Sequence, residues 1–359
     1  MMKRICYILL CLLPCMTACQ QKDSPEYKGE GVPIMLSAGI DPTEPATRAA
    51  YQLTHPTTEE PLHAAVWLST SGNFLNNNTG DGTSSLEAET SIFFQNEKDQ
   101  LLKMNRDAVS LDIIYPSECD DAEHQVHFIG LHPDGGWGFT SGSTNSSTFH
   151  TFDGNDDLMF APKVSGFIAI NPNPKLHFYH MLTHLRLEVK AENADVTSSW
   201  GKLERISLSL QKSKLTLSNL TTAPSLSTVS FEDDASLPFY ATGGDITFEA
   251  ANPSGYALPT VFTEVAYVLC TPVTATREDG GDRTDEYSIL LDTEKRSNVE
   301  VKVDLKTGAG TADSDYFSGS TMGREFVITL TFTASGYVSA SATVSAWTTG
   351  GYVSQDVER

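Results

Sequence analysis

Two short patterns in the sequence could support acyl-transfer chemistry by a serine nucleophile. Ser209 and Lys212 have S-x-x-K spacing, and Lys306 begins a K-T-G triplet. Together these are two of the three signatures of one class of serine enzymes. The nucleophile of that class lies at the start of a helix, whereas Ile206 and Leu208 alternate with polar residues as in a strand. No S-D-N triplet lies between the two patterns. We therefore expect that the protein is not an enzyme.

Three closely spaced histidines raise the question of a metal site. On a helix, His177, His180 and His184 would lie near one face. In a strand, His177 points away from the other two, and no nearby glutamate completes an H-E-x-x-H motif. The acidic segment 153–157 lacks the alternating oxygen ligands and closing glutamate of a calcium loop. We expect structural roles for these residues, and neither a metal ion nor a cofactor.

The N-terminus carries a different reactive group, the thiol of Cys19. Lys3 and Arg4 precede an apolar run, residues 5–13, which is too short to cross a bilayer as a helix. The sequence M-T-A-C that ends at Cys19 resembles the lipobox at which bacterial lipoproteins are cleaved and acylated. We expect residues 1–18 to be a lipoprotein signal peptide and the acylated Cys19 to hold the protein on a membrane surface. The alternative is an ordinary secretory signal in which Cys19 is incidental.

Net charge and cysteine count exclude some classes of protein. The 359 residues carry a formal net charge of −22, which disfavours binding to nucleic acid. Four of the six cysteines fall within the first 19 residues, so that only Cys119 and Cys270 remain in the body. A disulfide scaffold is therefore excluded, and stability must come from an apolar core. The length favours two domains.

Strands must position these groups, because sustained helical periodicity is almost absent. Alternating or β-branched runs are separated by turns rich in Gly, Asn and Asp, which favours antiparallel β-sandwiches. The two prolines of 171–175 cannot extend a strand ladder, and we place a domain boundary there. This gives an N-terminal domain of residues 49–172 and a C-terminal domain of residues 173–359. The expected strands are 32–40, 64–70, 126–133, 185–191, 204–217, 245–250, 264–273, 286–292, 298–305, 324–334 and 337–347.

Three segments in order, DDLMFA (156–161), LHFYHMLTHLRLEV (176–189) and REFVITLTFTASGYVSASATVSAWTTGG (324–351), resemble the fimbrillin family, the type V pilins of Gram-negative anaerobes. VHFIGLHP (126–133) is similar to the family's F-A-Y-Y-P segment, from which Gly130 and His132 depart. The resemblance implies two tandem transthyretin-like antiparallel β-sandwich domains and export to the outer-membrane surface as a lipoprotein. It also implies assembly into an adhesive fimbria with other fimbrillin-like subunits, and possible partners are ligands on host or bacterial surfaces.

In that family, the strand after the lipid anchor fills a groove until a trypsin-like protease cuts after a basic residue. Residues 32–40 are the candidate plug strand, with Ile34, Leu36 and Ala38 on one face. The proline-broken loop that follows contains Arg48, so that cleavage between Arg48 and Ala49 would release a propeptide of residues 19–48. The alternative is that Arg48 is an ordinary loop residue and the first strand stays in place, as in an anchor subunit.

The C-terminal tail is the candidate donor strand that would fill a neighbour's groove. Tyr352 shares one face with Ser354 and Asp356, and Val353 shares the other with Gln355 and Val357. The charged Asp356 makes the first face poorly suited to fill an apolar groove. The second face offers only two apolar side chains, both of them valines. The tail therefore fits a tip or accessory subunit about as well as a stalk subunit.

A binding module is the alternative from a different class of function. A permanently tethered glycan-binding lipoprotein would use exposed aromatic residues on a concave surface. The four tryptophans, Trp67, Trp137, Trp200 and Trp347, are scattered along the chain, and of these Trp137 is the one in a loop that we expect to be exposed.

Overall fold

The computed structural model of the protein describes residues 36–40, 62–69, 74, 88–97, 101–104, 115, 123–140, 147–168, 173–241, 255–275, 287–303, 305–306 and 317–345. Within these residues the chain is almost entirely β-structure, with one short helix. The expectation of an all-β fold is confirmed. No helix in this part of the chain is long and apolar enough to cross a membrane.

Seven of the first nine strands form a closed barrel in the order β1-β4-β3-β2-β5-β8-β9, which we call the N-terminal barrel. The other two, β6 and β7, pair with each other outside it. The bounds are β1 (Ser37–Ile40), β2 (Leu62–Ser69), β3 (Ala88–Glu97), β4 (Leu101–Met104), β5 (Val126–His132), β6 (Gly138–Thr140), β7 (Ser147–Thr151), β8 (Met159–Gly166) and β9 (Lys175–His180).

Two facing sheets, which we call the C-terminal sandwich, are formed by β6, β7 and most of the later strands. The later strands are β10 (Thr183–Ala191), β11 (Leu203–Leu217), β12 (Val229–Pro238), β13 (Tyr240–Ala241), β14 (Thr263–Cys270), β15 (Thr274–Ala275), β16 (Tyr287–Thr293), β17 (Arg296–Val303), β18 (Leu305–Lys306), β19 (Gly319–Ser320), β20 (Glu325–Phe332) and β21 (Val338–Ser345). One sheet has the order β13-β14-β10-β20-β21-β18. The other has the order β17-β16-β11-β7-β6, with β12 also paired to β11, and β15 pairs with β19.

Alternation of side chains builds the core of this sandwich. In β10 the side chains of Leu185, Leu187 and Val189 are buried, whereas the polar residues between them are only partly buried. This is the period-2 pattern of a strand with one face against a core. Ile206 and Leu208 of β11 are buried in the same apolar cluster, so that the two sheets share one interior.

The outer face of the barrel packs against the sandwich. Strand β2 buries alternate residues on both faces: Ala64 and Val66 belong to the barrel interior, while Ala65 and Trp67 belong to the separate cluster that fills the sandwich. Strand β7, which lies outside the barrel, pairs with β11 from Thr148↔Leu217 to Thr151↔Lys214. The barrel is thus joined to the sandwich by packing, and a strand from the N-terminal half of the chain completes one sandwich sheet.

The segment expected to be a domain boundary does not divide these sheets. Lys175, directly after the second proline, begins β9, which pairs with β8 and β1 inside the N-terminal barrel. The two prolines therefore lie in the connection between two neighbouring strands of one sheet, where a missing N–H donor is tolerated. The division of the chain into two domains stays a prediction.

Three strand pairs are parallel, although the sequence favoured antiparallel sheets. They are β1 with β9, β10 with β20, and β18 with β21. Parallel neighbours need long connections, and β10 and β20 are separated by more than a hundred residues of chain. The other described pairs are antiparallel.

The helix α1 (Ala194–Trp200) has clear end signals. Asn193 caps its start, because the side-chain oxygen accepts a hydrogen bond from the backbone N–H of Val196 at 3.0 Å. Gly201 ends it at a φ of 74°, which favours glycine. The helix buries Trp200, whose Nε1–H donates to the carbonyl of Thr333 and whose ring lies 4.1 Å from the Arg296 guanidinium.

Candidate functional site

The candidate site is the position of β1 in the N-terminal barrel, which we call the β1 slot. Strand β1 lies between β9, to which it is parallel from Ser37↔Lys175 to Ile40↔Phe178, and β4, to which it is antiparallel at Ser37 and Ala38. The Ser37 N–H also donates to the carbonyl of Pro174 at 3.1 Å. A strand of only four residues therefore closes the barrel.

The side chains of β1 and of the residue before it alternate between the barrel interior and its outside. Leu36, Ala38 and Ile40 have exposed fractions of 2 %, 0 % and 6 %, whereas Ser37 is only partly buried. The sequence predicted Leu36 and Ala38 on one inward face, and the structure places both in the barrel core. Ile40 was not among the predicted residues, although it continues the same alternation.

The barrel interior around the slot combines large aromatic side chains with small residues. The barrel core contains the aromatic rings of Tyr115, Phe128 and Phe178. A Cβ atom on Gly130 would lie 2.5 Å from the Phe178 ring, so that no larger residue fits at this position unless the ring shifts. Ala38 is fully buried in this crowded interior, so that a larger side chain at its position would overpack the core.

Removing β1 would have a definite structural consequence. Strands β4 and β9 would lose their shared neighbour and expose backbone N–H and C=O groups along two edges, beside an apolar interior. Such an edge pairs readily with an incoming strand. The arrangement can therefore bind an extended segment, with main-chain bonds supplying attraction and alternate side chains supplying selectivity.

Several predicted site residues lie outside the described part of the chain. They are the lipidation site Cys19, the cleavage pair Arg48 and Ala49, the plug residue Ile34, and the tail residues Tyr352, Val353 and Val357. Their roles stay predictions.

The three histidines are placed in two strands and do not converge. His177 is exposed on β9, while His180 is buried and its Nδ1 lies 2.8 Å from Oδ2 of Asp157. The Nδ1 of His184 on β10 lies 2.9 Å from a carboxylate oxygen of Glu325. Among the described residues, no group of three or more His, Cys, Asp or Glu side chains could hold a metal ion.

Asp157 and His180 form a side-chain pair at the end of β9. Burial alone would raise the pKa of Asp157, but the charge and hydrogen bond of His180 outweigh it, with smaller contributions from His132 and His184. The pKa of Asp157 is therefore held below its ordinary value. Sequence patterns did not indicate the Asp157–His180 pair, because partner choice across strands depends on the sheet order.

Burial lowers the pKa of His132, although its contact with the His63 carbonyl at 2.5 Å and the charges of Asp157 and Asp134 act in the opposite direction. The unfolded chain therefore binds a proton at this histidine at higher pH than the folded chain does. Stability from this group is present above the unfolded pKa, about 6.5, and is lost as pH falls below it. We expect the melting temperature to drop between pH 7 and pH 5, and to drop less in His132→Gln. An equally steep pH dependence in the variant would assign the acid sensitivity to other groups.

The residues of the S-x-x-K pattern both lie in β11. The Ser209 hydroxyl donates to the carbonyl of Ser288 at 3.1 Å, and the Lys212 ammonium pairs with Asp234. Leu210 between them has a φ of 57° and is exposed, at an irregularity in the pairing with β12. Neither side chain lies at a helix start, the position that this chemistry requires.

The described tryptophans are mainly core residues. Trp67 and Trp200 are fully buried. Trp137 is partly buried: its Nε1–H donates to the carbonyl of Pro133 at 2.9 Å, and its ring packs edge-on against His150 at a centroid distance of 4.9 Å. The tryptophan expected to be exposed thus packs against the apolar cluster that fills the sandwich.

Fold and site together define an all-β protein whose N-terminal barrel is closed by a short first strand. No protein-family model and no curated protein matches the chain. A candidate cell adhesion protein from Bacteroides uniformis ATCC 8492 has a similar solved structure, with a TM-score of 0.49 and 16% identity over 88% of this chain and 98% of that one.

Two further solved structures are similar, with lower TM-scores and identities. A fimbrial assembly protein from Parabacteroides distasonis ATCC 8503 gives a TM-score of 0.40 and 9% identity, over 89% of this chain and 100% of that one. A candidate polysaccharide-binding protein from Bacteroides thetaiotaomicron VPI-5482 gives a TM-score of 0.39 and 9% identity, over 88% of this chain and 99% of that one. All three likenesses have TM-scores below 0.5 and identities below 25%.

Proposed function

We propose that this protein is a structural or tip subunit of an adhesive surface fimbria, with no catalytic role. It is exported as a lipoprotein anchored in the outer membrane through Cys19 and is released when a trypsin-like protease cuts after Arg48. It then joins other fimbrillin-like subunits by strand exchange at the β1 slot. The observation that carries the proposal is the burial of Leu36, Ala38 and Ile40 in a strand that closes the barrel.

The geometry supports a removable strand in two ways. Strand β1 is short, and it is separated in sequence from the next described strand by residues 41–61, which contain Arg48. It also pairs with β4 on one side and with β9 on the other. Its removal would therefore leave a gap between these two strands that is one strand wide. A donor strand can recover the same ladder and the same apolar contacts.

Peptide uptake tests this proposal on the purified protein without its lipid. After trypsin cuts at Arg48, a labelled peptide of residues 32–40 in excess should slowly replace the native segment. In Arg48→Ala the segment stays covalently attached, and its high effective concentration should lower peptide uptake at least about tenfold. Arg277→Ala, which removes another arginine from a polar stretch of sequence, should behave like the parent.

Mass spectrometry of the fragments and fluorescence of the folded fraction would give the cut site and the uptake. Equal uptake by Arg48→Ala and the parent would contradict cleavage-dependent opening. If neither protein takes up the peptide but both bind a polysaccharide, the permanently tethered glycan-binding lipoprotein is the better description.

A further inference from the structure

The inward side chains of β1 form a series of large, small and large. Leu36 and Ile40 flank Ala38, and at most 6 % of any of the three is exposed. Ala38 lies opposite Leu176 and Ile40 opposite Phe178 in the parallel register with β9. A strand that takes this place must therefore run parallel to β9 and present the same series of sizes at alternate positions.

The central position and the two outer positions reject different kinds of side chain. The central residue, Ala38, is fully buried in the barrel core opposite Leu176. A larger residue there would displace its neighbours. At the two outer positions a charged group would lose its water without gaining a partner among the apolar residues of the cluster.

The protein's own tail fails this requirement in both of its alternations. With Tyr352 and Ser354 facing inward, Asp356 would occupy the position of Ile40. With Val353 and Val357 facing inward, Gln355 would occupy the position of Ala38. One alternation buries a carboxylate, and the other places a long amide side chain at the fully buried position of Ala38.

We infer that the β1 slot accepts an uncharged large–small–large strand from a different kind of subunit, and that it rejects the Tyr352–Val357 tail of a second copy of this chain. This inference rests on the proposed function. It assigns the protein to heterologous joints, in which it receives a strand from another subunit and does not form a homopolymer through its own tail.

The test uses the protein cut after Arg48 and four labelled peptides, with binding followed by fluorescence anisotropy. The peptide of residues 32–40 and the 350–359 peptide carrying Asp356→Ile should bind. The unchanged 350–359 peptide and the 32–40 peptide carrying Ala38→Phe should bind at least about 30-fold more weakly, because one buries a carboxylate and the other overpacks the core.

A gain of function gives an independent measurement. After cleavage, the full-length Asp356→Ile protein should form multimers, while the parent stays monomeric by size-exclusion chromatography with light scattering. Glu358→Ile is the matched control, because it adds the same apolar side chain to the tail but leaves Asp356 in place, and it should stay monomeric.

The outcomes separate the inference from the proposed function. If the unchanged tail peptide binds as tightly as the 32–40 peptide, or if the parent multimerises as readily as Asp356→Ile, the inference is overturned and strand exchange stands. If the 32–40 peptide itself does not bind to the cut protein, strand exchange at this slot is wrong and the inference falls with it.

Discussion

Replacing Trp67 with alanine should lower the free energy of unfolding by about 3–5 kcal/mol, the range for deleting a buried aromatic side chain. Trp67 is fully buried in β2, on the face that packs into the cluster shared with the sandwich. Ile129 lies opposite Trp67 on β5, and because β5 is itself paired with both β2 and β8, this side of the vacated volume can collapse only partly. Urea unfolding followed by circular dichroism measures the change.

Trp137→Ala is the matched control for this substitution. That ring is partly exposed and contributes one hydrogen bond, to Pro133, and an edge contact with His150. Its loss should cost about 1–2 kcal/mol. If Trp67→Ala were no more destabilising than Trp137→Ala, the shared cluster would not contribute the stability that its burial indicates.

The second large effect concerns Glu325, whose carboxylate is fully buried at the start of β20. It lies 2.9 Å from Nδ1 of His184 and accepts a hydrogen bond from Arg186 at 3.3 Å. Glu264 also pairs with Arg186, and the hydrogen bond to Glu264 and the charge of Glu325 together raise the pKa of Arg186. Glu325→Ala leaves a partly buried cation with one carboxylate instead of two, and should cost about 3 kcal/mol.

Glu264→Ala removes the other carboxylate of the same network and serves as its control. Because Glu264 is 30 % exposed at the edge of the network, its removal should cost about 1 kcal/mol or less. Thermal unfolding of both variants at neutral pH distinguishes the buried contribution from the exposed one. Equal costs would indicate that water screens Glu325 as well as Glu264.

Local patterns in the sequence predicted some of the strands and the faces that they bury, but not others such as β3, β8 and β12. Alternation predicted the strand at 185–191 and the inward positions of Leu36 and Ala38, because one buried face imposes a period of two residues. The same rule extends to Ile40. The turns rich in Gly, Asn and Asp and the near absence of helical periodicity were sufficient to predict the all-β class.

Relations between distant segments could not be predicted in the same way. The parallel pairing of β1 with β9 and of β10 with β20 joins residues more than a hundred positions apart, and no local pattern encodes which strand becomes a neighbour. For the same reason the Asp157–His180 pair was missed, although both residues stood in segments that carried the family resemblance. The domain boundary placed at the prolines of 171–175 stays a prediction, because a missing N–H has the same local signature at a boundary and in a connection between strands.

The packing between the barrel and the sandwich has a mechanical consequence. Trp67 on β2 is buried in the cluster that fills the sandwich, and β7 pairs the N-terminal half of the chain with the second sheet. We therefore expect the barrel and the sandwich to move together as one rigid unit. If the protein joins a filament as proposed, a pull applied at one end would pass through each subunit with little internal extension, and bending would be concentrated in the joints between successive subunits.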